Sequence, residues 1–309
     1  MLASRAVYIG PDEARSDVIL AAAAAVLGTF LIGLVTQLPL YPRTGLPGAL
    51  LSVFWVFALT GLVPLLLARY RGDGLKAFGL QAPREAWRRG LLLVAPVAVM
   101  GVLQALLVAG DPMGAVLGRI GRALRSPVAV APVFSALELV ALVVGGLMLT
   151  TFLAVRGREG FRPVDMSLTQ VLRTFGMGCA GVALIGGLLR SLGPEVRVGG
   201  VLLEVAALVV VILLADRLVP LGPTVPRGAI LAPLVVIAVA HLFALGGGLL
   251  FGNPLIGLHA GGLGAGTAVV VAVLVSARNM AWAVVPLLIA VHWWPTCLSP
   301  VPISQAPGC

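Results

Sequence analysis

Charge, sulfur and titratable side chains are all scarce in this chain. Only 11% of the 309 residues are Asp, Glu, Lys or Arg, aromatics make up 6%, and there are three histidines and three cysteines. A soluble domain carries about 25% charged residues, so an ordinary water-facing surface is excluded. The cysteines form no CxxC pair and no Cys/His cluster of zinc-finger spacing, which removes metal-finger and thioredoxin-like readings. The glycine runs at 246–248 and 261–266 follow no strand and carry no GK[ST] step, so they are not phosphate loops. Short alternating segments of the kind that build a transmembrane β-barrel are also missing.

What the chain does contain is apolar sequence. Hydrophobic residues make up 60% of it and the mean hydropathy is +1.08. They fall in blocks of about 20 residues, the length a helix needs to cross a bilayer. The expected fold class is all-α: a polytopic transmembrane bundle of about eight to nine spans with one or two short interfacial helices. Residues 1–309 form a single membrane-embedded domain, divided into N-terminal spans and basic loops (1–172), a core (173–294) and a polar tail (295–309). The spans run roughly Asp17–Leu38, Ala49–Ala68, Leu91–Ala109, Val133–Val155, Thr174–Leu189, Val198–Ala215, Ala229–Leu250, Leu263–Ala277 and Met280–Trp294. Short interfacial helices are expected around Arg119–Arg125 and over Val164–Leu172, and residues 251–262 read as a Gly/Pro-broken segment. The N-terminal residues show no cleavable-signal pattern, so the first span is expected to stay as an anchor.

The net charge is +9. Most arginines lie in short loops between apolar blocks, where they orient the protein and meet anionic head groups. No basic segment interleaves aromatics on a polar face, so nucleic acid is not a partner; the lipid bilayer is. The positive-inside rule makes the loops at 69–89 and 156–173, Arg217, Arg227 and Arg278 cytoplasmic, together with the N-terminus of a cytoplasmic-membrane protein. Nine spans leave the C-terminus outside, where Cys297 and Cys309 could pair only in an oxidising compartment.

Candidate chemistry concentrates between Pro226 and Trp294, which hold His241, His259 and His292. An ionisable group at membrane depth is costly and raises a functional question. The intramembrane carboxylates are Glu138 and Glu204, with Asp216 at a span end. Each also has a plainer reading. Buried histidines and carboxylates tie helices together, His241 reads as structural, and Arg190 and Arg227 near span ends snorkel to head groups.

The order Arg227-Gly228, Leu255-x-x-x-His259 and a closing helix Asn279–Trp294 with Trp282 and His292 resembles the CPBP family of intramembrane proteins, named for CAAX-prenyl proteases and bacteriocin-processing enzymes. The resemblance covers the last quarter of the chain, and the N-terminal half in layout only. It implies an intramembrane endopeptidase in which a glutamate activates water and histidines hold that water, the oxyanion or a metal. This chain departs from the pattern. The glutamate pair expected four and five residues before Arg227 is replaced by Gly222 and Pro223; Leu255 stands for a phenylalanine, and Thr296 for an asparagine. Hydrolysis needs a base within reach of the water.

Two main expectations follow. In the first, the chain is a non-proteolytic CPBP-like scaffold or auxiliary subunit of a membrane complex, with other membrane proteins as partners and no cofactor required. In the second it is a peptidase for a prenylated or leader peptide. There the catalytic residues are His259, His292, Glu204 and Arg227, and His259 and His292 hold zinc or another divalent metal if active. A small-solute transporter is a third possibility, with no visible internal repeat to favour it.

Overall fold

The computed structural model describes residues 9–35, 45–78, 80, 83–107, 131–161, 164–192, 198–219, 224–236, 254–277 and 280–293. It is an all-α bundle. Helix α1 is Pro11–Val35. Helix α2 covers Gly45–Phe57, a π-helical turn at Ala58–Leu62, and Val63–Tyr70. Helices α3, Pro83–Leu107, and α4, Ala131–Gly160, follow. Helix α5 runs Leu168–Arg190, with a π-helical turn at Leu172–Gly176. Then come α6, Val198–Leu218, and the shorter α7, Arg227–Val236. The last two helices are α8, Pro254–Ser276, and α9, Val284–Trp293.

Among the described residues, five helices are long and apolar enough to cross a membrane: Val53–Tyr70, Glu85–Gln104, Leu168–Arg190, Val198–Leu218 and Leu258–Ser276. The chain is therefore built as a membrane protein.

Helix α8 is the centre of the bundle, with 78% of its apolar stretch enclosed by other helices. Its sequence explains this. The run AVVVAVLVS is apolar on every face, the signature of a helix surrounded by protein, while glycines let neighbours approach closely. A Cβ at Gly262 would meet the Ala183 backbone at 2.5 Å, and one at Gly266 would meet Leu208 at 2.7 Å. Helices α5 and α6 thus lie directly on α8, and α3 packs along both α6 and α9.

The sequence expectation of a broken segment over 251–262 is corrected here. From Pro254 onward the chain is one continuous helix. Gly262 and Gly266 serve contact with α5 and α6 rather than a helix break, and Pro254 occupies the first position, where proline's missing N–H costs nothing. A second correction concerns Val164–Leu172. Asp165–Ser167 form a strand, β1, paired antiparallel with β2, Thr224–Pro226. Leu168, Val171 and Leu172 then open α5 as buried core residues rather than a surface helix. The Arg119–Arg125 segment, His241, Cys297 and Cys309 lie outside the described residues.

The basic loops meet at one end of the bundle. Arg156 on α4, at 1% exposure, contacts Asp17 of α1 at 3.2 Å, Asp73 beyond α2, and Glu159 at 2.8 Å. Asp17 also binds Arg71 at 3.1 Å, and Arg71 reaches Glu13 at 3.1 Å. Hydrogen bonding to Asp17 raises the Arg71 pKa further above its ordinary value. A raised guanidinium pKa adds stability below that range and loses it only above, so Arg71 contributes no pH dependence near neutrality. At the same end the Val164 carbonyl accepts from the Arg227 backbone N–H at 2.6 Å, and Arg158 donates to the Ser276 carbonyl at 3.4 Å.

Candidate functional site

At the opposite end, four helices bring polar groups to one point. His259 enters from the first turns of α8, Glu204 from the second turn of α6, and Gln104 from the last turn of α3. The Ala183 carbonyl comes from α5. His259 Nε2 lies 2.8 Å from Glu204 Oε2, and its Nδ1 lies 2.7 Å from the Ala183 oxygen. Gln104 Nε2 donates to Glu204 Oε1 at 2.9 Å. His259 is 1% exposed and Glu204 5%.

The glycines of α5 make this seat. A Cβ at Gly187 would stand 2.7 Å from His259 Nδ1, and one at Gly186 would stand 2.7 Å from the His259 backbone nitrogen. Only a residue without a side chain lets α8 come close enough for the imidazole to reach a backbone carbonyl. That carbonyl is available despite lying inside a helix because an oxygen has two lone pairs, one of which remains after the helical bond.

Proton bookkeeping at the pair is constrained. A carbonyl can only accept, so Nδ1 carries a hydrogen. The 2.8 Å contact between Nε2 and Oε2 then requires one more proton, placed on the imidazole or on the carboxyl. Either way the pair holds two protons and is neutral as a unit, the arrangement that lowers the cost of burying ionisable groups. Both ring nitrogens are engaged, so His259 offers no free lone pair to a metal in this arrangement. Among the described residues, no group of three His, Cys, Asp or Glu side chains is placed to hold a metal ion.

The sequence-derived candidates separate. Glu204 and His259 are brought together. Arg227 is exposed at the other end of the bundle, where α7 begins, far along the chain axis from the pair. His292 lies near the end of α9 and Glu138 in the second turn of α4; their side chains fall outside the described residues. Asp216 is not a partner of His259. It binds Arg173 at 2.8 Å at the basic end. Arg190 departs from the snorkelling expectation: at 7% exposure it is buried on the α5 face that carries Ala183 and Gly187.

Sequence reasoning missed Gln104 and the Asp17–Arg156–Asp73 cluster. A signal for each was present. Gln104 is the lone amide in the apolar run GVLQALL, and Asp17 heads the long apolar run of α1. Compared with family models, with curated proteins and with solved structures, the chain has no significant match.

Proposed function

We propose that the chain is a cytoplasmic-membrane protein with a CPBP-like core that has become a scaffold or auxiliary subunit of a membrane complex. In this reading Glu204 and His259 form a structural staple and not a catalytic centre. The observation that carries it is the engagement of both His259 ring nitrogens, at 2.7 and 2.8 Å, inside a site with almost no exposure. A general base must present a free lone pair to water, and here that lone pair is occupied. The replacement of the expected glutamate pair by Gly222 and Pro223 supports the same reading. The basic end, with the N-terminus, faces the cytoplasm.

A peptidase reading rests on one specific observation, the carboxylate 2.8 Å from His259, which could replace the lost glutamates if the pair opened to water. Purified protein in nanodiscs, incubated with prenylated and leader-bearing peptides, separates the two. The scaffold reading expects no product from wild type, Glu204→Gln or His259→Ala. Cleavage by wild type that disappears in both variants establishes the peptidase and overturns the scaffold.

A further inference from the structure

An apolar groove of about 370 Å³ opens on the outside of the bundle between α3 and α6. Ala95, Val99 and Leu103 line it from α3; Leu203, Val210 and Leu214 line it from α6. From Leu203 to Leu214 it is about 16 Å long at 1.5 Å per residue, and it lies wholly within two membrane-spanning helices. Pro96 and the small side chains of Ala206 and Ala207 also line it.

The basic end of this groove is flanked by two arginines. On α3, Arg88 precedes Ala95 by seven residues and Val99 by eleven, which sets it on the groove face. On α6, Arg217 follows Leu214 by three and Val210 by seven, again the groove face. The Gln104–Glu204 bond fixes the register of the two antiparallel helices. From it, 16 residues lead back to Arg88 and 13 lead on to Arg217, about 24 and about 20 Å along the axes. The two guanidinium groups therefore emerge at nearly the same level. Both arginines are exposed, and among the described residues neither pairs with an acid. The acids on the same turns are already engaged: Glu85 binds Arg89 and Asp216 binds Arg173. Trp87, half-exposed beside Arg88, marks this level as a membrane–water interface.

A membrane-depth apolar slot ending in two uncompensated cations matches one kind of molecule. We propose that α3 and α6 form a seat for an anionic phospholipid of the leaflet at the basic end, with one acyl chain in the groove and the phosphate between Arg88 and Arg217. Charge complementarity selects the head group, and the slot selects a molecule with a chain over a free phosphate. A guanidinium offers paired donors to phosphate oxygens, which gives the seat geometry as well as charge.

The test uses full-length protein in nanodiscs of mixed phosphatidylglycerol and phosphatidylcholine, with co-purifying lipid quantified by native mass spectrometry after mild detergent extraction. Wild type is expected to retain phosphatidylglycerol over phosphatidylcholine by about 25-fold, about fivefold for each arginine. Arg88→Gln with Arg217→Gln should bring the ratio to about one. Arg88→Lys with Arg217→Lys should keep most of the preference and so exclude a folding defect. Ala206→Phe, which fills the slot, should reduce retention of both lipids. Equal retention by wild type, or a preference unchanged in the Gln pair, overturns the proposal. So does displacement of the lipid by glycerol phosphate alone, which would make this a free-phosphate site.

Discussion

At the residue scale, the His259 seat depends on what Gly187 lacks. A methyl group there would stand 2.7 Å from Nδ1, too close for either atom to stay. Gly187→Ala should therefore push the ring off the Ala183 carbonyl and cost about 1–3 kcal/mol, the usual penalty of overpacking a core. A thermal unfolding scan of the purified protein measures it, and an unchanged midpoint would show that the seat is loose. Arg156 gives the opposite experiment. It is enclosed by Asp17, Asp73 and Glu159, so Arg156→Met leaves Asp73 buried without this partner and Asp17 with Arg71 alone. Breaking a buried pair from one side costs about 3–5 kcal/mol, and the same scan should show this variant as the less stable of the two. His259 and Glu204 were legible as candidates because ionisable groups are rare in these apolar spans. Their pairing was not legible, because 55 residues of chain separate them and nothing local sets the register of α8 against α6.

At the element scale, helix packing follows from where the glycines lie. Gly157 of α4 and Gly228 of α7 meet backbone to backbone, each leaving no room for a Cβ on the other. This gives the Arg227-Gly228 step a structural meaning: the glycine seats α7 against α4, while Arg227 itself points outward. Gly228→Ala should force these helices apart and lower the unfolding midpoint. Gly178→Ala on α5, where a Cβ meets nothing within 4 Å, should leave it unchanged. An equal effect from the two would contradict this packing account. The helices themselves were largely readable from hydropathy, since a block of about 20 apolar residues has few alternatives. Of two misreadings, one came from glycine and proline and the other from a distant strand partner. Over 251–262 they read as helix breakers, yet the five glycines within Pro254–Ser276 are contact points or tolerated small residues in a continuous helix. Over 164–172 the local sequence could not reveal that β1 pairs with Thr224–Pro226, a partner about sixty residues away.

At the scale of the whole molecule, two polar clusters among the described residues tie opposite ends of the bundle. The arginine-rich end is tied by Asp17, Asp73 and Arg156, and the far end by Gln104, Glu204 and His259. Positive charge orients a membrane protein, so a cysteine placed at Arg227 should react with an impermeant thiol reagent from the cytoplasmic side. One placed at Ser191, just beyond α5, should react from the other side; the reverse pattern would invert the topology. In the staple, Glu204 acts through hydrogen bonds and not through carboxylate chemistry. Glutamine can reproduce the hydrogen bonds to Gln104 and His259, accepting from Gln104 Nε2 and donating to a neutral His259 Nε2, whereas alanine removes both at a cost of about 1–3 kcal/mol. The decisive measurement is the thermal unfolding midpoint of Glu204→Gln and Glu204→Ala beside wild type in the same nanodisc. The staple predicts a Gln variant close to wild type and an Ala variant clearly below both. A Gln variant as unstable as Ala would contradict it.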